Sequence, residues 1–186
     1  MNQKQEKKKI LIVFAHPFPE KSRVNKAMIA KVRDLPGVTV SDLYEKYPDF
    51  HIDPSEEQKL LLKADFVILH HPTYWFSSPP IVKEWIFVVL EHGFAQGKGG
   101  EALRGKEFML ATSAAGPENS YKSTGFNKFT MEEFLRPFEQ TARVCNMEYR
   151  QPFIVYGTPN LTTQEIDTHA EAYRSFLKLI SERKDI

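Results

Sequence analysis

Three short stretches of this 186-residue chain gather side chains that can do chemistry. The first is His16-Pro17-Phe18-Pro19-Glu20-Lys21-Ser22-Arg23-Val24-Asn25. A helix opening at Ser22 leaves backbone N–H groups beside the Ser hydroxyl, the Arg guanidinium and the Asn amide, a donor set suited to an anion such as a phosphate monoester. The same Ser22 could equally act as a helix cap and nothing more. The second stretch is His71-Pro72-Thr73-Tyr74-Trp75-Phe76-Ser77-Ser78-Pro79-Pro80. Three consecutive aromatics are costly to leave in water, so they mark a binding surface, an interface or a plug folded back on the core. The third, Ser113-Ala114-Ala115-Gly116 running on to Tyr121, is small enough for backbone N–H groups to approach a ligand, with Gly116 open to a positive φ. None of the three carries G-x-G-x-x-G or G-x-x-x-x-G-K-[ST], so a Rossmann dinucleotide site and a P-loop are both unsupported.

Something must hold these loops together, and the hydropathy pattern says what. Residues 10–15, 66–70, 107–113 and 153–156 read as buried strands, and 38–43 alternates like a strand nearer an edge. Between them lie helical stretches. One follows Ser22 with Val24, Met28, Val32 and Leu35 on one stripe, stopped by Pro36-Gly37. Another opens at Asp53-Pro54-Ser55-Glu56 and runs through Leu62; a third spans residues 80–91. Thr130 with Glu133 and Thr162 with Glu165 form capping boxes for the last two, the former reaching about Cys145 with a kink expected at Pro137. Strand–helix alternation of this kind builds an α/β three-layer sandwich with a parallel sheet. Five strands favour the flavodoxin-like order 2-1-3-4-5, in which ligands bind beyond the carboxyl ends of strands 1 and 3. All three loops fall there. An anion nest, an aromatic wall and a small-residue loop at one point suit a mononucleotide with a planar head. FMN is the economical guest, and FAD remains possible.

Composition narrows the partners. With 25 Lys+Arg against 24 Asp+Glu, no basic nucleic-acid surface is expected, and a strongly acidic electron carrier of flavodoxin type ranks last. Cys145 is the single cysteine, so no internal disulfide forms and a reducing, cytoplasmic setting is expected. No apolar run approaches the roughly 18–20 residues of a membrane span. Residues 1–9 read as a disordered basic tail and 10–186 as one flavin-binding domain. His16, His70 and His71 lack any metal-ligand spacing, so no metal site is expected. Glu56, Glu57, Glu132 and Glu133 read as helix-start charges, and Cys145 as a small core residue. Helix 80–91 is apolar almost all round, which calls for cover on two sides and points to a second subunit, with a fully internal helix as the other reading.

Taken in combination, Ala15-His16-Pro17, Ser22-x-x-Asn25, Tyr47-Pro48-Asp49-Phe50, His71-Pro72-x-Tyr74-Trp75, Pro79-Pro80-x-x-Lys83-x-Trp85 and Gly93-Phe94-Ala95 resemble the flavodoxin-like NAD(P)H:quinone oxidoreductases. The likeness spans about residues 10–180. It points to the short bacterial members, among them ancillary oxidoreductases of glutathione-regulated potassium efflux. It implies a homodimer that passes hydride from NADH or NADPH through FMN to a quinone or nitroaromatic acceptor in a ping-pong cycle. It also allows a flavin-binding regulatory subunit in peripheral contact with a membrane transporter. The flavin contacts it implies are His16, Ser22, Arg23, Val24 and Asn25 for the phosphate and ribityl chain. Thr73, Tyr74, Trp75 and Phe76 would hold the ring, with Ser113, Ala114, Ala115 and Gly116 along its edge. Tyr121 matches a catalytic Tyr of the larger members, but Asn127 stands where their partner His would be.

Overall fold

The computed structural model describes residues 7–183. Strands β1 (Ile10–Phe14), β3 (Phe66–Pro72) and β4 (Glu107–Ser113) are buried along their whole length. Their residues alternate between two cores, as the two-residue period of a strand requires. Leu11, Val13, Val67, Leu69, Phe108 and Leu110 face one core, with α2 (Leu43–Lys46), α3 (Pro54–Lys63), α4 (Pro80–Val89) and α5 (Met131–Val144) against them. Ile10, Ile12, Phe14, Phe66, Ile68 and Met109 face the other, covered by α1 (Val24–Val32) and α6 (Thr163–Glu182). The result is helix, sheet and helix in three layers.

The sheet is parallel and ordered β2-β1-β3-β4-β5, where β2 is Val38–Asp42 and β5 is Glu148–Tyr149. A sixth segment, β6 (Phe153–Val155), also pairs with β4, so two short strands share the place expected for one. The break follows from Pro152, which has no N–H to give the ladder. Helix limits also differ from the sequence reading. The strand expected at 38–43 ends at Asp42, whose carboxylate caps α2 through Glu45 N–H. The helix expected from Ser22 begins at Val24, and Ser22 Oγ caps its first turn from just outside by accepting from Lys26 N–H. The helix expected at 80–91 stops at Val89. Both capping boxes form as read. Among the described residues no helix is long and apolar enough to cross a membrane.

Glu57 departs most from expectation. It sits in the first turn of α3 as read, but its carboxylate is wholly buried and receives Ser41 Oγ (3.0 Å), Tyr47 Oη (3.1 Å), Trp85 Nε1 (3.0 Å) and Lys46 Nζ (2.5 Å). One side chain thereby joins β2, α2, α3 and α4.

The expected tail of residues 1–9 lies for residues 1–6 outside the described residues. Its last part is held, which corrects the boundary. Lys8 N–H donates to Ser181 O, and Lys9 N–H to Asp65. Lys8 Nζ meets Glu107 at 2.9 Å, where Arg150 (2.5 Å) and Arg183 (3.7 Å) also converge. Burial alone would raise the Glu107 carboxyl; the bonds from Lys8 and Arg150 outweigh it and hold the group below its ordinary range. A depressed carboxylate pKa stabilises the fold above the unfolded value, near pH 4.3, and that contribution is lost as pH falls through the folded value. Glu107→Gln is therefore expected to be less stable than wild type at pH 7, with the two converging below about pH 4 in urea melts. A constant gap down to pH 3 would assign the loss to packing.

Candidate functional site

At the carboxyl ends of β1, β3 and β4 the three loops enclose a cavity of about 340 Å³. It is lined by His16, Ser22, Arg23, Val24 and Asn25 from the first loop, Thr73 and Tyr74 from the second, and Ser113 and Ala115 from the third. Nine of the expected contact residues thus meet where the strand order reverses, the place set by parallel-sheet geometry. Phe18, Lys21, Thr158 and Pro159 join them and were not foreseen. Thr158 and Pro159 lie in a 3₁₀ turn after β6. A fourth strand end reaches the same rim, and Gly157-Thr158-Pro159 directly after a predicted strand was the available signal.

The polar groups are fixed by their neighbours. Arg23 Nη2 donates to Leu161 O at 2.8 Å, tying the start of α1 to the loop before α6. Phe18 N–H donates to His16 Nδ1 at 3.1 Å. Desolvation lowers the His16 pKa against the pull of Glu20, so the ring favours its neutral form. Asn25 and Ser113 are buried and bonded to each other at 2.9 Å. Thr73 N–H donates to Ser113 O at 2.7 Å, locking the second loop to the third.

The aromatic loop is a tight hairpin. Tyr74 and Ser77 exchange both backbone hydrogen bonds, leaving Trp75 and Phe76 as central residues at φ 46° and 62°. Positive φ at both positions is the geometry of a type I′ turn, for which Asn and Gly are the usual occupants. Strain of this order, roughly 1–2 kcal/mol per residue, is stored where other contacts demand it. Phe76 is stacked on Phe134 at 4.8 Å, whereas Trp75 is 93% exposed. Neither lines the cavity; they follow Tyr74, which does. The reading of these aromatics as a core plug does not hold for Trp75.

The third loop corrects two expectations. Gly116 does not take a positive φ; a Cβ there would meet the Tyr121 ring at 3.2 Å, so the glycine makes room for that ring. Ala114 is buried and its N–H is spent on Val155 O, which removes it as a ligand donor. Tyr121 is 8% exposed and packs against Phe134 and Tyr156. Burial raises its pKa above the ordinary tyrosine value, partly offset by the Gly116 backbone and the Asn127 side chain. His71 is buried with Nδ1 against Pro72 O, and desolvation lowers its pKa to about 4. Cys145 is buried, its thiol pushed up to about 11.

A groove of about 720 Å³ shares no residue with this cavity. It runs along the outer side of α4 and α5, lined by Ile86, Phe87, Val88 and Val144 among others. Phe87 is 80% exposed there, so the single chain covers α4 on one side only.

A doubly wound parallel sheet with a cavity at its switch point defines the class. The chain belongs to the family with a flavodoxin-like fold, whose model matches residues 8–177. It is 41% identical over 170 residues to the glutathione-regulated potassium-efflux system ancillary protein KefG of Yersinia enterocolitica, covering 91% of this chain and 92% of that one. Among solved structures, general stress protein 14 of Treponema denticola in complex with FMN is 39% identical with a TM-score of 0.89, covering 92% and 99% of the two chains. An NADPH-quinone reductase from P. pentosaceus is 30% identical with a TM-score of 0.82, covering 90% and 96%. A further solved chain, 40% identical with a TM-score of 0.87 over 95% and 99%, is described as a thermophilic tryptophan halogenase from Streptomycin violaceusniger. Likeness at this level therefore fixes the fold and leaves the reaction to be argued from the site.

Proposed function

We propose that this chain is an FMN-dependent NAD(P)H oxidoreductase acting on quinones or related two-electron acceptors. The observation that carries the reading is the convergence of the three loops on one cavity. The donor set fits the group. Lys21, Arg23 and the open turn of α1 suit a phosphate, Asn25 and Ser113 suit a ribityl chain, and the Ala115 backbone suits a ring edge. The FMN complex of the 39% identical relative supports the choice of FMN. When bound, FMN supplies the two-electron chemistry that links NAD(P)H oxidation to quinone reduction in alternating half-reactions.

The chain's own residues do the rest. Trp75 and Phe76 form the wall against which planar rings stack. Tyr121, which does not itself line the cavity, would supply a hydroxyl donor to a bound flavin, with Asn127 as its neighbour in place of an acid–base partner. The exposed side of α4, with Phe87, is where a second copy would pack. A second reading is favoured by the KefG likeness: an ancillary subunit that binds a potassium-efflux transporter, with turnover incidental.

Purified protein mixed with FMN, then NADPH, then a quinone separates the readings. A yellow protein that bleaches fast and reoxidises with quinone supports the enzyme. Slow bleaching with co-purification of a potassium-efflux transporter supports the ancillary role. A sample left colourless by both FMN and FAD would remove the flavin from either. The hairpin offers a residue-level check. Trp75→Gly is expected to hold stability or raise it by up to about 1 kcal/mol, because glycine accepts positive φ and the exposed ring contributes little packing. Flavin affinity should fall by about tenfold. Equal loss of stability and binding would return Trp75 to a structural role.

A further inference from the structure

Beneath the cavity three polar side chains form one hydrogen-bonded line. His70 Nε2 lies 3.2 Å from Asn25 Oδ1, and Asn25 Nδ2 donates to Ser113 Oγ at 2.9 Å. They come from β3, α1 and β4, which meet at the switch point. Asn25 and Ser113 line the cavity, but His70 does not. It is wholly buried between the rings of Phe14 and Tyr173, at 5.4 and 5.3 Å.

The line has a direction. Among the described residues His70 Nδ1 has no hydrogen-bond partner. A buried N–H without an acceptor costs more than a bare lone pair, so the ring proton belongs on Nε2, where Asn25 Oδ1 accepts it. That bond turns the Asn25 amide nitrogen towards Ser113. Ser113 Oγ, having accepted it, keeps its own O–H for the cavity. Burial, reinforced by His71 and His16, lowers the His70 pKa to about 3, so the neutral ring persists across physiological pH.

We propose that His70 is a positioning residue: it sets the Asn25 amide so that Ser113 presents a hydroxyl donor to whatever occupies the cavity. The proposal rests on the flavin reading for its ligand, though not for its geometry. Without the His70 donor, the Asn25 amide can turn over, offer Oδ1 to Ser113 and draw the hydroxyl proton away from the cavity.

Two measurements test it. Nitrogen-15 NMR of the histidine rings, on the full chain before flavin is added, should show His70 as the neutral Nε2–H tautomer from pH 7 down to pH 5. The Nδ1–H tautomer, or a mixture, overturns the proposal whether or not flavin binds. FMN titration then follows the consequence. His70→Leu should weaken binding by about tenfold; it removes the unpartnered Nδ1 but strands one group of the buried Asn25 amide, so its melting temperature falls as well. His70→Gln can place an amide donor near the same point and should recover most of the affinity. The double variant with Ser113→Ala should bind no more weakly than Ser113→Ala alone. Additive losses overturn the proposal. Wild-type protein that binds neither FMN nor FAD defeats the flavin reading, and the tautomer still decides the geometry.

Discussion

Glu57→Ala lowers the unfolding free energy by about 3–5 kcal/mol, the cost expected when one partner of a buried ionic network is removed. The carboxylate is fully buried, and its loss strands three further buried donors, Ser41 Oγ, Tyr47 Oη and Trp85 Nε1. Each stranded donor costs about 1–3 kcal/mol, so the network total and the sum of its parts agree in scale. Lys46 adds little, being more than a third exposed and able to turn to water. Glu57→Gln keeps the volume but turns an amide NH₂ towards groups that are themselves donors, so it should also cost more than 1 kcal/mol. Urea denaturation at pH 7 measures both. A loss under about 1 kcal/mol for the alanine variant would show that the four elements hold together without it. The effect should reach the site: Trp85 sits on α4, whose first turn receives the aromatic loop.

Tyr121→Phe should reduce turnover with NAD(P)H and quinone by about a hundredfold while leaving the fold and the FMN content intact. The ring keeps its contacts with Phe134 and Tyr156, so only the hydroxyl changes. Because burial raises the Tyr121 pKa above its ordinary value, wild-type activity should show no fall from this group below pH 10. Stopped-flow measurement of each half-reaction locates the loss. If both proceed at wild-type rates, the hydroxyl has no part in the chemistry. Asn127→His, which supplies the partner implied by the resemblance, is expected to bring a pH dependence near 6.5 that the wild type lacks.

Much of the scaffold was legible because local chemistry and global fold agree at the helix starts. Thr130 with Glu133, Thr162 with Glu165, and Asp53 before Pro54 each carry their own start signal, and all three helices begin there. The central strands were equally plain, since burial on both faces leaves no room for polar alternation. The site was legible to the level of loops, because strand order dictates where a doubly wound sheet opens. Below that level the sequence fell silent for identifiable reasons. Positive φ at Trp75 and Phe76 defies residue preference, and strain of that kind is held by contacts distant in sequence. Glu57 looks like any acid in a first helical turn until Tyr47 and Trp85 are brought to it by tertiary packing. The homodimer remains a proposal resting on the exposed side of α4.

Glu107 has a use beyond stability. Lys8 and Arg183 converge on it, and Lys8 N–H bonds Ser181 O at 3.2 Å, so both ends of the described chain leave from one patch. That patch lies at the amino-terminal edge of the sheet, opposite the loops that enclose the cavity. Molecules tethered to an electrode or bead through the segment ahead of Lys8 would all stand with the cavity facing solution. The anchor and the cavity mouth would be separated by the length of a strand, about 20 Å. On the proposed activity, such a layer should answer freely to dissolved NADPH while exchanging electrons only slowly with the surface beneath it.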